Sequence, residues 1–167
     1  MKSLLPILTV IAAGGRMGNA HPIPIRPARP ADAAACAAIL NGWIDATPWM
    51  PRVHPAEEVV RHYRETVLPA QEVLIAGREA AEGFLALDGS LVSALYVASP
   101  GKGLGRALLD AAKAMRARLE LWTFLANGGA RRFYEREGFG EVRRTTGDNE
   151  EGLADVLLGW ERRGDGG

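Results

Sequence analysis

Two groups of residues in this sequence have the types and spacing to do chemistry. The first is the glycine-rich segment 100–106, Pro-Gly-Lys-Gly-Leu-Gly-Arg, between an apolar run and an amphipathic stretch. The first N–H groups of a helix have no internal acceptors and carry the positive end of the helix dipole. Glycines let an anion approach them because no Cβ lies in the way. The segment is a candidate phosphate-binding loop, although a glycine-rich surface turn explains it about equally well when it is considered alone.

A second glycine cluster, at residues 14–18, superficially resembles a dinucleotide-binding turn. Such a turn must open directly into a helix whose N-terminus faces the pyrophosphate. Here the cluster is followed by a series of prolines that begins at Pro22, so no helix can begin there. We therefore exclude this cluster as a nucleotide site.

The second group of residues that could do chemistry lies at 119–139. There, an apolar run is followed by Asn127 and by a short helical segment that ends at Gly138. Together with Gly103-Leu104-Gly105, this order resembles the GNAT superfamily of acyl-CoA-dependent N-acyltransferases. The family pattern is a strand, R/Q-x-x-G-x-G/A opening a helix, a strand ending in Asn, and then A-x-x-F-Y-E-x-x-G-F. The resemblance covers about residues 23–162, and its second half is matched by Asn127, Ala130, Phe133, Tyr134, Glu135, Gly138 and Phe139.

The resemblance implies that acetyl-CoA is the co-substrate, without a metal, and that it lies between two splayed parallel strands, Leu91–Val97 and Leu119–Phe124. The glycine loop would hold the pyrophosphate, and the backbone of residues 95–97 would pair with the pantetheine arm. Basic side chains would neutralise the phosphates. The predicted cofactor-binding residues are Leu95, Tyr96, Val97, Gly101, Lys102, Gly103, Leu104, Gly105, Arg106, Asn127 and Arg131.

One position departs from the family pattern. Members usually carry Gln or Arg three residues before the first motif glycine, where this sequence has Pro100. A side-chain contact to the pyrophosphate is thereby lost. Backbone N–H groups remain, so we expect weaker cofactor binding rather than none.

The resemblance also implies the catalytic groups for attack of a neutral amine on a thioester. The Val97 N–H would donate to the thioester oxygen as negative charge grows there. Tyr134 matches the family's general acid, and a phenol with a pKa of about 10 protonates a thiolate whose acid has a pKa of about 8.5. From spacing alone, Tyr134 would instead be a packing residue beside Phe133.

No acidic residue lies on Leu91–Val97, so the sequence offers no obvious general base. Glu82, Asp88 and His54 could act through water, but residues of these types are more often solvated or structural. Many amines also lose their proton adequately to water. We therefore leave the base unassigned.

The loop between the first two predicted helices contains Trp49, Met50 and His54. In the GNAT superfamily this loop covers the acceptor site. An aromatic and thioether-rich loop could hold an apolar or aromatic amine, or stack on a cation. Trp49 and Met50 could equally complete the core, and both interpretations stay open here.

The elements that position these residues follow from periodicity and turn signals. Strands are predicted at 23–26, 73–76, 83–87, 91–97, 119–124, 141–145 and 154–160, and helices at 31–44, from Pro55 to before Pro69, at 103–117 and at 130–137. Asp32 is a candidate cap for the first helix. This order, with the resemblance, predicts a mixed α/β (α+β) GNAT-like acyltransferase fold: a mostly antiparallel central sheet with splayed parallel strands, flanked by helices.

The composition limits which classes of partner and chemistry remain possible for this chain. The chain has 167 residues, with 20 basic and 20 acidic side chains, and a single cysteine, Cys36. A neutral chain is a poor partner for nucleic acid or an anionic membrane. One cysteine permits no internal disulfide, and burial on a helix face suits it better than nucleophilic chemistry. We predict a cytoplasmic protein, and a homodimer stays open.

Residues 1–22 are interpreted as a leader before a single N-acetyltransferase domain at 23–163. The leader resembles a short signal peptide, although Pro6 and Arg16 fit that poorly, and Met17 could be the true start. We predict acetylation of a primary amine of a small molecule or peptide. The alternatives are an acyl-CoA-binding module without turnover and an exported binding protein.

Overall fold

The computed structural model describes residues 22–164, so almost all of the predicted leader lies outside the described residues. Residues 22–164 form seven strands, as predicted, and five α-helices, one more than predicted because the second predicted helix is divided in two. The strands are β1 (Ile25–Pro27), β2 (Glu72–Ala76), β3 (Gly83–Asp88), β4 (Leu91–Val97), β5 (Arg118–Phe124), β6 (Gly140–Thr145) and β7 (Asp155–Glu161). The helices are α1 (Ala33–Ala46), α2 (Ala56–His62), α3 (Leu68–Ala70), α4 (Leu104–Met115) and α5 (Gly128–Arg136).

The strands form one sheet with the order β1-β2-β3-β4-β5-β7-β6. Within it, β4 and β5 are parallel neighbours, and the other pairs are antiparallel. The tight turn at Gly89, where φ is +60°, joins β3 to β4 as the Asp88-Gly89 pair predicts. The predicted mixed α/β fold is confirmed.

The core consists of two layers, one on each face of the sheet. Helices α1 and α2 cover one face, where Trp43, Tyr63, Phe84 and Tyr96 are buried. Helices α4 and α5 cover the other face, which buries two rows of leucines together with Tyr134. Because successive side chains of a strand point to opposite faces, β4 contributes Tyr96 to the first layer and Leu95 to the second.

The second predicted helix was expected to end before Pro69, but the helical segment that begins at Ala56 continues past Pro69 to Ala70. A π-helical turn at Tyr63–Val67 follows α2, and α3 then contains Pro69 in its first turn. Proline is tolerated in a first helical turn because the N–H that it lacks has no intrahelical acceptor there. The π turn therefore allows the chain to continue helically to Ala70.

Asp32 precedes α1, but its carboxylate does not cap that helix. It accepts two hydrogen bonds of 2.8 Å from the Arg26 guanidinium and one of 2.7 Å from the Arg29 N–H. The Arg26 guanidinium holds the pKa of Asp32 below its usual value of 3.8. Asp32 thus fastens β1 to the start of α1.

Removal of this carboxylate should destabilise the fold. We expect Asp32→Ala to lower the Tm by about 3 °C at pH 7 for a domain of this size, measured by circular dichroism. Because the folded-state pKa of Asp32 is depressed, its contribution is complete above the unfolded value and is lost as the pH falls through the folded value. The difference from wild type should therefore shrink as the pH falls below the usual value of 3.8. Asp45→Ala, at an exposed ion pair with Arg52, should change the Tm less.

Cys36 is fully buried on α1, and burial raises the pKa of its thiol to about 12. A thiol in this state is inert at neutral pH, as the sequence interpretation expected. Among the helices of residues 22–164, none has the length and apolarity to cross a membrane.

Candidate active site

The sheet opens between β4 and β5. These strands share one bridge, Leu91 with Glu120, at the start of β4, and no further register pair follows toward Val97. The N–H of Ala98 donates to the Glu82 carbonyl, on the β3 side, at 2.7 Å. Since successive N–H groups of a strand point to opposite edges, the Val97 N–H faces the gap between β4 and β5. An extended ligand could pair with this open edge as an added strand would.

The glycine loop follows β4 and leads into α4. Gly101 and Gly103 have φ values of +83° and +77°, a left-handed conformation that other residues rarely adopt. The first hydrogen bond of α4 runs from the Ala107 N–H to the carbonyl of Gly103, which precedes the helix. The N–H groups of Leu104 and Gly105 therefore have no acceptor within the helix. A Cβ at Gly103 would meet only the Ile23 side chain, at 3.8 Å. The loop therefore leaves open space at Gly103 and N–H donors without intrahelical acceptors at the start of α4.

The predicted basic residues differ in their surroundings. Lys102 is exposed in the loop itself. The Nε of Arg106 lies 3.8 Å from an oxygen of Asp110 and 3.9 Å from one of Glu137. Arg131 donates to the Leu125 carbonyl at 3.5 Å. Lys102 and Arg106 therefore stand at the start of α4, whereas Arg131 lies at the start of α5.

Asn127 lies at the end of the loop after β5, as the motif predicts. Its side-chain oxygen accepts from the Ala130 N–H at 3.1 Å and caps α5. The residue is 7% exposed. Asn127 thus sets the start of the helix that carries Tyr134.

Tyr134 is fully buried on α5, between the rings of Phe133 and Phe139 at centroid distances of 5.2 and 5.4 Å. Its phenol also acts electrostatically on Tyr96 of β4, whose pKa is raised mainly by burial and further by Tyr63 and Tyr134. Tyr96 belongs to the opposite face of the sheet. The two tyrosines therefore lie in different core layers.

Several buried polar side-chain atoms of the described residues lack a hydrogen-bond partner. Within the described residues, Tyr96 Oη on β4, Thr123 Oγ1 on β5 and Trp43 Nε1 on α1 are buried and have no hydrogen-bond partner. Trp43 contacts Tyr96 at 5.5 Å between ring centroids. Buried polar atoms without partners are rare in folded proteins, and each calls for an explanation.

The loop between α1 and α2 closes over the first core layer. Met50 is buried, and Trp49 is half-buried between Trp43 and Phe124, with centroid distances of 5.9 Å to each ring. His54 lies 3.3 Å from Glu58 and 3.0 Å from Glu150 of the β6–β7 loop. The carboxylates of Glu150 and Glu58 raise the pKa of His54, which is opposed by partial desolvation. His54 thus ties the two loops together.

A pocket of 540 Å³ lies beside the end of β4. One wall is α1 from Ala38 to Thr47, with Trp43 in the middle, and the other wall includes Val97 and Pro100. No charged residue of the described chain lines it. The pocket suits an apolar group placed next to the Val97 N–H.

The candidate bases lie in different places. Asp88 pairs with Leu91 at the opposite end of β4 from Val97, far from the gap. Both ring nitrogens of His54 face carboxylates. Glu151, in the β6–β7 loop, has a buried oxygen without a partner among residues 22–164, and its charge raises the pKa of Tyr96. The sequence analysis did not identify Glu151, because two adjacent acidic residues in a loop are usually exposed to solvent.

The site thus combines a mostly antiparallel sheet that opens at its parallel pair with a glycine loop that leads into the following helix. Residues 70–141 match the family model described as the acetyltransferase (GNAT) domain. The predicted resemblance to the GNAT superfamily is therefore confirmed over this segment of the chain.

Solved structures agree with this assignment. The chain is similar to apo YjaB from Escherichia coli, with 26% identity, a TM-score of 0.70, and coverage of 84% of this chain and 99% of that one. A GCN5-related N-acetyltransferase from Rhodopseudomonas palustris has 25% identity, a TM-score of 0.70, and coverage of 88% and 99%. The yncA protein of Salmonella typhimurium, solved with its cofactor acetyl-CoA, shares the fold at 23% identity, with a TM-score of 0.63 and coverage of 87% and 96%. None of the curated proteins matches the sequence significantly.

Proposed function

We propose that this protein is an N-acetyltransferase that moves the acetyl group of acetyl-CoA to a primary amine of a small molecule or peptide, with Tyr134 as general acid. The observation that carries this proposal is the opening between β4 and β5, beside the left-handed glycine loop that leads into α4. The GNAT family match supports the acetyl-CoA part of the proposal.

The residues present fit coenzyme A. The N–H groups of Leu104 and Gly105, with the open face of Gly103, would hold the pyrophosphate, and Lys102 would add charge. The open edge at Leu95 and Val97 would pair with the amides of the pantetheine arm. When bound, acetyl-CoA supplies an activated acetyl group as a thioester.

The protein's own groups would then stabilise charge and deliver a proton. The Val97 N–H, directed into the gap, donates to an oxygen on which negative charge develops. The Tyr134 phenol donates its proton to the leaving sulfur. Burial of Tyr134 under Phe133 and Phe139 keeps water away from this transfer.

The pocket beside Val97 indicates the acceptor class. Its walls of Ala38, Ile39, Trp43 and Val97 favour an apolar or aromatic group attached to the amine. Trp49 borders the same core layer through its edge contact with Trp43. Met50, in contrast, is buried among core residues, so we assign it to packing.

Two measurements test the proposal. We expect isothermal titration to show acetyl-CoA binding, and a thiol-release assay to show turnover with 2-phenylethylamine that exceeds turnover with the polycation spermidine. Binding without thiol release for any amine of a broad panel would support the acyl-CoA-binding module instead. Absence of binding at millimolar acetyl-CoA would contradict both functions.

A further inference from the structure

Gly42 is an unusual residue for its position in α1. It lies in the interior of this helix, four residues before Ala46, the last helical residue. Glycine lowers helix stability there, because it loses more backbone freedom on folding than alanine does. Gly42 is not among the described glycines with a positive φ, and a Cβ at this position would meet no atom outside its own helix within 4 Å. Neither the backbone conformation nor the packing therefore requires glycine.

The side of α1 on which Gly42 lies faces a cavity and not the core. Residues two positions apart on a helix are separated by about 200° around its axis. Gly42 therefore lies opposite Leu40 and Ile44, which are both buried in the core. The pocket of 540 Å³ is lined by Ala38, Gly42 and Ala46, which are four residues apart and form one row along the helix. Because Gly42 is in the middle of this row, a larger side chain at position 42 would extend into the pocket.

The pocket adjoins the place where the acetyl group would react. Its other wall includes Val97, whose N–H faces the gap between β4 and β5. Ile39 and Trp43 form the next row of α1 and line the same pocket. A volume of 540 Å³ is large enough for a whole small molecule and exceeds what the methyl or ethyl group of a small amine would fill. A ring-sized apolar group would lie over Gly42 and against Trp43.

We propose that Gly42 determines the acceptor specificity of the enzyme, because it leaves room for a ring-sized apolar group attached to the amine. This inference rests on the proposed acetyltransferase function and narrows its acceptor class. The amine nitrogen lies next to Val97, at the thioester carbon, and the ring lies across α1 at Gly42. A side chain at position 42 would occupy the place of the ring and leave the reacting end of the pocket open.

If Gly42 provides room for the acceptor, stability and activity should change in opposite directions when a methyl group is added. Gly42→Ala should raise the Tm by about 2–4 °C, measured by circular dichroism, because alanine has the higher helix propensity. The same methyl group should lower kcat/KM with 2-phenylethylamine about threefold, since it narrows an apolar pocket. A residue with only a structural role would not gain stability and lose activity together.

The test compares wild type, Gly42→Ala, Gly42→Leu and the control Ala34→Leu in the thiol-release assay. The measured quantity is the ratio of kcat/KM for 2-phenylethylamine to kcat/KM for ethylamine. We expect this ratio to fall about threefold in Gly42→Ala and about 30-fold in Gly42→Leu. Ala34 is an exposed residue of the same helix that does not line the pocket, so Ala34→Leu should leave the ratio unchanged. The Kd for acetyl-CoA, measured by isothermal titration, should not rise in any variant.

The outcomes separate this inference from the proposed function. If wild type releases no thiol with any amine, the acetyltransferase function fails and this inference fails with it. If wild type turns over while Gly42→Leu keeps the ratio, Gly42 does not determine specificity and the acetyltransferase function stands. A higher Kd for acetyl-CoA in Gly42→Leu would assign the pocket to the cofactor and also overturn the inference. If Gly42→Leu does not fold, the ratio and the Tm of Gly42→Ala decide.

Discussion

Replacement of Tyr134 by Phe should reduce kcat about 10²-fold while the Kd for acetyl-CoA changes less than threefold. The hydroxyl is needed only when the thiolate leaves, whereas the ring fills a core position between Phe133 and Phe139 in both forms. The variant should therefore fold and bind normally. Thiol-release kinetics with saturating amine measure kcat, and isothermal titration measures the Kd.

Tyr63→Phe is a matched control for this experiment. Tyr63 is also a buried tyrosine, 3% exposed, and its ring packs against Phe84 in the other core layer. Loss of its hydroxyl should leave kcat within about twofold of wild type, because Tyr63 lies in the first core layer and Tyr134 in the second. Equal kcat values for the Tyr134→Phe variant and wild type would remove Tyr134 from the mechanism.

The sequence was sufficient to predict much of the fold because local signals and tertiary packing agree there. The residues of β4 were predicted with their observed bounds, since an apolar run follows the Asp88-Gly89 turn directly. The left-handed backbone at Gly103 likewise fits the prediction of a glycine-dependent loop. In both places, a short stretch of sequence contains the physical cause of the structure.

Other features depend on partners far along the chain. Asp32 has the type and position of a helix cap, but Arg26, six residues earlier, competes for its carboxylate and wins with a bidentate pair. The helical run through Pro69 requires a π turn that no periodicity predicts. Local patterns cannot decide between such alternatives.

The candidate site likewise has some features that local sequence predicts and others that depend on distant parts of the chain. Tyr134 and the glycine loop were identified through a motif, but the motif carries no information on the loop between β6 and β7. That loop contacts the loop between α1 and α2 through Glu150 and His54, which are 96 residues apart in the chain. One carboxylate oxygen of the neighbouring Glu151 is buried there, a placement that only the folded structure reveals.

Substitution of Gly103 by Val should abolish measurable acetyl-CoA binding, with a loss of affinity of about 10³-fold. Charge-assisted hydrogen bonds from N–H groups contribute about 1.5–3 kcal/mol each, and a branched side chain at this position would keep a diphosphate from those of Leu104 and Gly105. The open space in front of Gly103, with its nearest neighbour at 3.8 Å, is the space that Val would occupy. Isothermal titration with acetyl-CoA provides the measurement.

Backbone strain must be separated from occlusion, because Val at a φ of +77° is strained whatever its neighbours are. Gly89→Val is the matched control, since Gly89 has a φ of +60° and open space around it but lies at the opposite end of β4. Both variants should lose a similar amount of thermal stability, about 2–6 °C in Tm. Only Gly103→Val should lose acetyl-CoA binding. If Gly103→Val binds within threefold of wild type, or if Gly89→Val loses binding equally, the α4 N-terminus does not hold the diphosphate.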